Sequence, residues 1–145
     1  MKSEALTDIG SKRKINQDSI FSTDEPIGKL PNLYIVADGM GGHKAGDYAS
    51  KECIEVLTTY IREYDEEIYT PIGILEGAIE AANSNIYKDS TSNIELEGMG
   101  TTVVVATVVD GMLIVANVGD SRLYYVEDRN LIQLTQDHSL VEEMV

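Results

Sequence analysis

Hydrophobic positions in the first half of the chain predict short strands followed by helices. We assign the strands to Glu4–Thr7, Ser19–Ser22 and Leu33–Ala37. The last of them, LYIVA, is a continuous apolar run typical of a strand covered on both faces. A helix is predicted from Gly46 to Tyr64, where apolar residues recur at spacings of three and four and form one face. A second helix begins at Thr70-Pro71, an N-cap followed by proline in the first turn.

The second half of the chain is rich in β-branched apolar residues. Further strands are predicted at Thr101–Val109, Met112–Val118, Ser121–Val126 and Leu131–Leu134. Asp110-Gly111 between the first two is a strong hairpin signal, and a turn at Glu127–Asn130 separates the last two. Polar residues from Lys88 to Glu97 predict a loop before this β-rich part. Strands, then two helices, then an antiparallel meander indicate an α+β fold with helices packed on a sheet.

The last residues predict the beginning of another helix. Ser139 followed three residues later by Glu142 is a capping-box pattern. The sequence stops at Val145, after little more than one helical turn, and such a helix is too short to be stable alone. We therefore expect residues 1–145 to be a single domain that is incomplete at its C-terminus.

Composition and charge exclude some classes of function. Asp and Glu number 25 against 11 Lys and Arg, and the formal net charge is −14. This balance opposes binding to nucleic acid and to anionic membranes, because both need basic surface. The N-terminus lacks the apolar run of a signal peptide, and Cys53 as the single cysteine cannot form an intramolecular disulfide. We expect a cytoplasmic protein with neither nucleic-acid nor membrane partners.

The first candidate site is DGMGG, which begins at Asp38 directly after the buried strand. An aspartate at a strand end can direct its carboxylate into a cleft, and the glycines bring carbonyl oxygens close to a bound ion. An ordinary Gly-rich turn is the alternative. A nucleotide-binding loop is disfavoured, since Lys44 stands where G-x-G-x-x-G needs glycine and Asp47 where a P-loop needs lysine.

Two further groups of residues could contribute charge to such a site. Arg13 could hold a phosphate by a bidentate interaction, and Asp18 supplies a second carboxylate at the start of a strand. Taken alone, the two residues could also be ordinary surface charges, which is the alternative. Asp120 lies in a tight link between strands, where a turn-forming aspartate is the default explanation. His43 is interpreted as a solvated loop residue and His138 as a residue near a helix cap rather than as catalysts. No nucleophilic triad is evident.

Together and in this order, these motifs resemble the protein phosphatase 2C-like, metal-dependent serine/threonine phosphatases, especially their bacterial branch. The matching segments are TDIGSKRKINQDS, LYIVADGMGGHKAGDYAS, GMGTTVVVA, and IVANVGDSRLYYV with LTQDHSLV. The resemblance implies a β-sandwich flanked by helices, with four α-β-β-α layers in the complete domain and metals in a cleft at one end. The present chain would stop before the C-terminal segment that carries further metal aspartates.

The resemblance also implies a role for each matching residue. Asp38 corresponds to the carboxylate that bridges two Mn²⁺ or Mg²⁺ ions, and the carbonyl of Gly39 is a further ligand. Asp18 corresponds to a carboxylate that binds or orients metal-held water, and Asp120 to one associated with a third, weaker metal site. Arg13 matches the arginine that grips the substrate phosphoryl group.

Two positions depart from the family pattern. Gln17 occupies a place often held by glutamate, so an acidic contact there is in doubt. Met40 stands where animal members have a histidine proposed as general acid, so that proton source is not evident. The second half of the two-metal cage cannot be assembled from this chain.

The function implied by the resemblance is hydrolysis of phosphoserine and phosphothreonine in proteins by a metal-activated water. Its substrates would be phosphoproteins made by a serine/threonine kinase, and the complete domain is expected to be a monomer. Residues 1–145 alone are expected to be weakly active or inactive. The alternative is a non-catalytic module of the same fold that binds phosphoprotein or metal.

Overall fold

The computed structural model describes residues 1–42, 44–137 and 141–144, the last four as backbone. Within these residues the chain forms seven strands, two α-helices and a short 3₁₀ helix at Ile94–Leu96. In the first half these are β1 (Asp18–Thr23), β2 (Leu33–Met40), α1 (Ala45–Glu63) and α2 (Pro71–Ser92). In the second half they are β3 (Gly100–Val109), β4 (Met112–Val118), β5 (Tyr124–Glu127), β6 (Asn130–Gln133) and β7 (Val141–Met144).

Five of these strands form one antiparallel sheet in the order β1-β2-β3-β4-β7, and β5 pairs with β6 in a separate hairpin. Both α-helices lie on one face of the large sheet. The buried residues of that face are Leu33, Ile35, Ala37, Val103, Val105, Ile114 and Ala116. They pack against the apolar sides of α1 and α2, which include Ala49, Cys53, Leu57, Ile61, Ile74, Leu75, Ala78 and Ala82. Burial of these side chains is the main stabilising contribution to the fold.

The opposite face of the large sheet is also apolar. Because side chains alternate along a strand, it carries Ile20, Val36, Val104, Ala106 and Val115. The segment Ser121–Tyr124 borders this face and encloses with it a cleft of about 480 Å³. Val36 nevertheless remains 48% exposed. A sheet with two apolar faces, one under helices and the other beside a hairpin, agrees with the predicted α+β sandwich.

Most predicted elements are confirmed. The Asp110-Gly111 turn has positive φ values of 52° and 76°, as a type I′ hairpin requires. The hydroxyl of Thr70 accepts a hydrogen bond from the Gly73 N–H at 3.0 Å, which confirms this residue as the N-cap of α2. The predicted strand Ser121–Val126 is shorter and begins at Tyr124, because the Leu123 N–H already donates to the Thr135 hydroxyl.

One predicted strand and one predicted boundary are wrong. Glu4–Thr7 is not a strand, and no described strand lies beside it as a partner. The predicted loop Lys88–Glu97 begins later, because α2 continues to Ser92. After Gly77 the helix contains neither glycine nor proline, so its polar residues form a solvated helical side rather than a loop.

The helix predicted at the end of the chain is also wrong within the described residues. Val141–Met144 is strand β7, paired antiparallel with β4 from Ala116↔Val141 to Leu113↔Met144. Ser139, the first residue of the capping-box pattern, lies outside the described residues, as do His43 and His138. A single helical turn gains little by itself, whereas the edge of β4 offers a row of backbone hydrogen-bonding groups.

Neither α-helix in the described part of the chain is long and apolar enough to cross a membrane.

Candidate metal and phosphate site

Asp18 and Asp38 lie directly opposite one another on β1 and β2. The Gly39 N–H donates to the Gln17 carbonyl at 3.0 Å, which brackets the Asp18–Asp38 pair between inter-strand hydrogen bonds. In such a non-hydrogen-bonded pair the side chains share one face and approach closely, with Cβ atoms about 4.5–5.5 Å apart. Two like charges directly opposite destabilise a sheet. The fold therefore concentrates negative charge at one point.

The protonation of Asp38 reflects this concentration. Burial raises the pKa of the Asp38 carboxyl above its ordinary value, and the hydrogen bond and charge of Asp18 raise this pKa further. The charge of Asp120 acts in the same direction, whereas the Arg13 guanidinium lowers the pKa. Burial and the two neighbouring aspartates thus oppose a negative charge on Asp38, whereas Arg13 favours it. A bound cation would favour the charged carboxylate as Arg13 does.

A cavity of about 220 Å³ opens beside these carboxylates. It is lined by Asp8, Ile9, Arg13, Ile15, Asn16, Gln17, Asp18 and Asp38. Short polar contacts organise its N-terminal wall: the Asp8 carboxylate accepts the Gly10 N–H at 2.7 Å, and Asn16 accepts the Asp18 N–H at 3.0 Å. The cavity thus brings the predicted phosphate-binding Arg13 to the same place as the two predicted metal ligands.

Gly39 is required by close packing where β2 ends against the first turn of α1. A methyl group on this residue would lie 1.8 Å from the Gly46 carbonyl oxygen. Gln17 packs on Gly46, and its side-chain amide donates to the Gly41 carbonyl at 3.3 Å. Gln17 therefore stabilises the glycine turn after Asp38 through a donated hydrogen bond. Its side-chain amide can do this although the family often has a glutamate at this position.

Met40 and Asp120 lie at the margins of this site. Met40 is two residues beyond Asp38 on the same strand face and is 55% exposed, so it supplies no titratable group there. Asp120 follows Gly119, whose φ of 99° favours glycine, and the turn brings its charge close enough to raise the pKa of Asp38.

The chemistry of the donors fits a hard divalent ion. The cavity is lined by the carboxylates of Asp18 and Asp38, which are oxygen ligands of the kind Mg²⁺ and Mn²⁺ prefer. Among residues 1–42 and 44–137, no group of three His, Cys, Asp or Glu side chains is placed to hold a metal. The described residues thus offer a pair of carboxylates, which is fewer ligands than a complete metal site needs.

Residues 11–143 match the sequence model described as protein phosphatase 2C. The chain belongs to the protein phosphatase 2C family. It is 41% identical over 154 aligned positions to serine/threonine phosphatase stp of Listeria monocytogenes serotype 4b, covering 100% of this chain and 58% of that protein. It is 36% identical over 148 positions to protein phosphatase PhpP of Streptococcus pneumoniae, with the same coverage of 100% and 58%. The chain thus spans 58% of the length of these curated relatives.

Solved structures show the same fold. A serine/threonine phosphatase of S. agalactiae aligns with a TM-score of 0.80 at 39% identity, covering 93% of this chain and 55% of that one. The catalytic domain of the phosphatase PstP, solved with 2 manganese ions, aligns with a TM-score of 0.74 at 34% identity, covering 88% and 52%. The family and the α+β fold predicted from the motifs are confirmed.

Two side chains near the site were not predicted from the sequence. Thr102 and Ser121 are hydrogen-bonded to one another beside Asp38. Both lie within the matching segments GMGTTVVVA and IVANVGDSRLYYV. Neither residue type is itself a metal or phosphate ligand of choice, and only the register of β2 and β3 places them at the site.

Proposed function

We propose that the full-length protein hydrolyses phosphoserine and phosphothreonine in proteins in a reaction that depends on divalent metal ions. The observation that carries this proposal is the pairing of Asp18 with Asp38 at a cavity that also holds Arg13. Carboxylates in close pairs attract cations, and a guanidinium beside them attracts the phosphate that those cations also bind.

In this proposal Asp38 and the Gly39 carbonyl would hold Mn²⁺ or Mg²⁺. Asp120 would contribute to a further, weaker metal site. When bound, the ions supply positive charge to the phosphoryl oxygens and lower the pKa of a water molecule.

The side chains then orient the reacting groups. The planar guanidinium of Arg13 binds two phosphoryl oxygens and sets the direction of the phosphorus–oxygen bond to be broken. The Asp18 carboxylate accepts a hydrogen bond from the attacking water and orients it. Such positioning and charge stabilisation supply most of the catalysis in phosphoryl transfer.

The proposal includes the biological setting predicted from the sequence. The substrates are phosphoproteins made by a serine/threonine kinase, the complete domain is a monomer, and the enzyme acts in the cytoplasm. Residues 1–145 form one protein phosphatase 2C-like domain lacking its C-terminal metal ligands, and alone they have little activity.

A non-catalytic module that binds metal or phosphoprotein is the second candidate. It is favoured by one observation: in the described part of the chain, no group of three side chains is placed to hold a metal. Turnover separates the two candidates, because both predict binding and only the enzyme releases phosphate.

The test is phosphate release from a phosphothreonine peptide by the full-length protein, with Mn²⁺ and with a chelator. We expect hydrolysis that requires the metal and that falls at least about a hundredfold in Asp38→Asn. Asp110→Asn is the matched control, because it removes the same charge from a turn with φ of 52°, which asparagine tolerates. Metal and peptide binding without phosphate release would favour the non-catalytic module instead.

A further inference from the structure

Thr102 contacts both β2 and the turn that carries Asp120. It lies opposite Asp38 on β3 and is only 6% exposed. Its hydroxyl oxygen accepts a hydrogen bond from the Asp38 N–H at 3.3 Å and forms another with the hydroxyl of Ser121. One buried hydroxyl therefore connects the strand end of Asp38 to the residue that follows Asp120.

The residue before Asp120 is also packed on Thr102. A methyl group on Gly119 would lie 2.8 Å from the Thr102 Cγ2 atom and 3.0 Å from its Cβ atom. The Gly119 backbone thus lies directly against the threonine methyl. Thr102 touches both neighbours of Asp120, one through a hydrogen bond and the other through van der Waals contact.

These contacts act against a repulsion. Asp120 and Asp38 carry like charges, and Asp120 is exposed on a turn that begins with a glycine. Without the contacts to Thr102, the turn would be free to move away from Asp38. Metal binding would then have to order the turn as well. A site whose ligands are already held in place binds its ions with a smaller ordering cost.

We propose that Thr102 and Ser121 are positioning residues that hold the Asp120 turn against the strand end of Asp38 and so strengthen metal binding. This inference rests on the proposed function, since it assigns these residues to the same site. Neither residue contacts the reacting atoms.

The test compares variants of the full-length protein by Mn²⁺ affinity, measured from free Mn²⁺ in electron paramagnetic resonance, and by thermal midpoint. The variants are Thr102→Val, Ser121→Ala, their combination, and the conservative Thr102→Ser. Thr107→Val is the matched control, because Thr107 lies on the same strand, is fully buried and donates to the Asn32 carbonyl at 2.8 Å. If Thr102 has only a structural role, Thr102→Val should behave as Thr107→Val does, with a lower thermal midpoint and unchanged Mn²⁺ affinity.

We expect Thr102→Val and Ser121→Ala each to weaken Mn²⁺ binding by about 3- to 10-fold, which corresponds to the loss of one hydrogen bond. The combined variant should lose no more than either alone, because both remove the same link. Thr102→Ser should bind Mn²⁺ nearly as tightly as wild type, and Thr107→Val should lower only the thermal midpoint.

A reduced thermal midpoint with wild-type Mn²⁺ affinity in Thr102→Val would overturn the proposal, as would additive losses in the combined variant. Asp38→Asn in the same experiment distinguishes a failure of the proposed function from a failure of the positioning role of Thr102. If it leaves Mn²⁺ affinity unchanged, the proposed function fails; if it weakens binding and Thr102→Val does not, only the positioning role fails.

Discussion

Asp18 at the start of β1 and Asp38 near the end of β2 face one another across the two strands, and Asp18 raises the pKa of the Asp38 carboxyl. Two carboxyl groups in this arrangement cannot both be ionised without cost. In the metal-free protein the pKa of the Asp38 carboxyl is therefore raised, and a divalent ion would remove the cost of ionising it. The same contact therefore predicts how stability depends on pH and how it depends on metal.

Asp38→Asn should raise the thermal midpoint of the metal-free protein at pH 7. The folded-state pKa of Asp38 lies above its ordinary value of about 3.9, so the folded protein binds more protons than the unfolded chain between these two values. Stability is lost as the pH rises through that window, and asparagine avoids the loss. Calorimetry from pH 3.5 to 7 with a chelator should show the two midpoints converging at the acid end. A wild-type midpoint above that of Asp38→Asn at pH 7 would contradict this expectation.

Arg13→Ala should impair substrate binding and leave the metal in place. The lost interaction is a hydrogen bond to a charged group, typically about 1.5–3 kcal/mol, which corresponds to about 10- to 150-fold in kcat/KM. Phosphopeptide kinetics together with Mn²⁺ calorimetry would measure both effects. Lys14→Ala is the control, because it removes a nearby exposed positive charge that does not line the cavity. Equal effects of the two substitutions would show that Arg13 acts only through general charge.

Gly39→Ala should destabilise the fold and weaken Mn²⁺ binding. The added methyl group would overlap the Gly46 carbonyl, so β2 and α1 must separate at the point where the Gly39 carbonyl is a proposed ligand. Overpacking of this kind costs roughly 1–3 kcal/mol. Gly42→Ala is a matched control, since a methyl group there meets no atom within 4 Å. Urea unfolding of both variants would measure the difference, and similar stabilities would show that the packing at Gly39 is looser than described.

Cys53 should be unreactive toward thiol reagents in the native protein. It is 2% exposed between the helices and the sheet, and burial raises the pKa of its thiol to about 12. At pH 8 the reactive thiolate is then a far smaller fraction than for an ordinary thiol with a pKa of about 8.5. Ellman's reagent should react at least about a hundredfold more slowly than in denaturant, with Cys53→Ala as the blank. Rapid labelling of the native protein would show that α1 opens from the sheet.

Local patterns in the sequence predicted the elements that are determined locally. The apolar run of β2, the periodic face of α1 and the Asp110-Gly111 turn all match the structure. The errors occur where the outcome depends on distant partners. Glu4–Thr7 has no described neighbour to pair with, and Val141–Met144 pairs with β4 although its sequence favours a helix start.

The candidate site was likewise predictable from the sequence only in part. Asp38 could be recognised from its place between a buried strand and a glycine turn, and the resemblance to a known family supplied roles for Arg13, Asp18 and Asp120. The direct pairing of Asp18 with Asp38 depends on strand register, which the sequence does not display. The contacts of Thr102 depend on the register of a third strand that follows two intervening helices.

The most direct test of the account is the position of Mn²⁺ in anomalous difference maps from crystals of the full-length protein grown with this metal. We predict a peak coordinated by the Asp38 carboxylate and the Gly39 carbonyl oxygen, with Asp18 beside it. Mn²⁺ bound only elsewhere, with Asp18 and Asp38 still in contact with one another and with no ion between them, would contradict the central claim that this pair is a metal site.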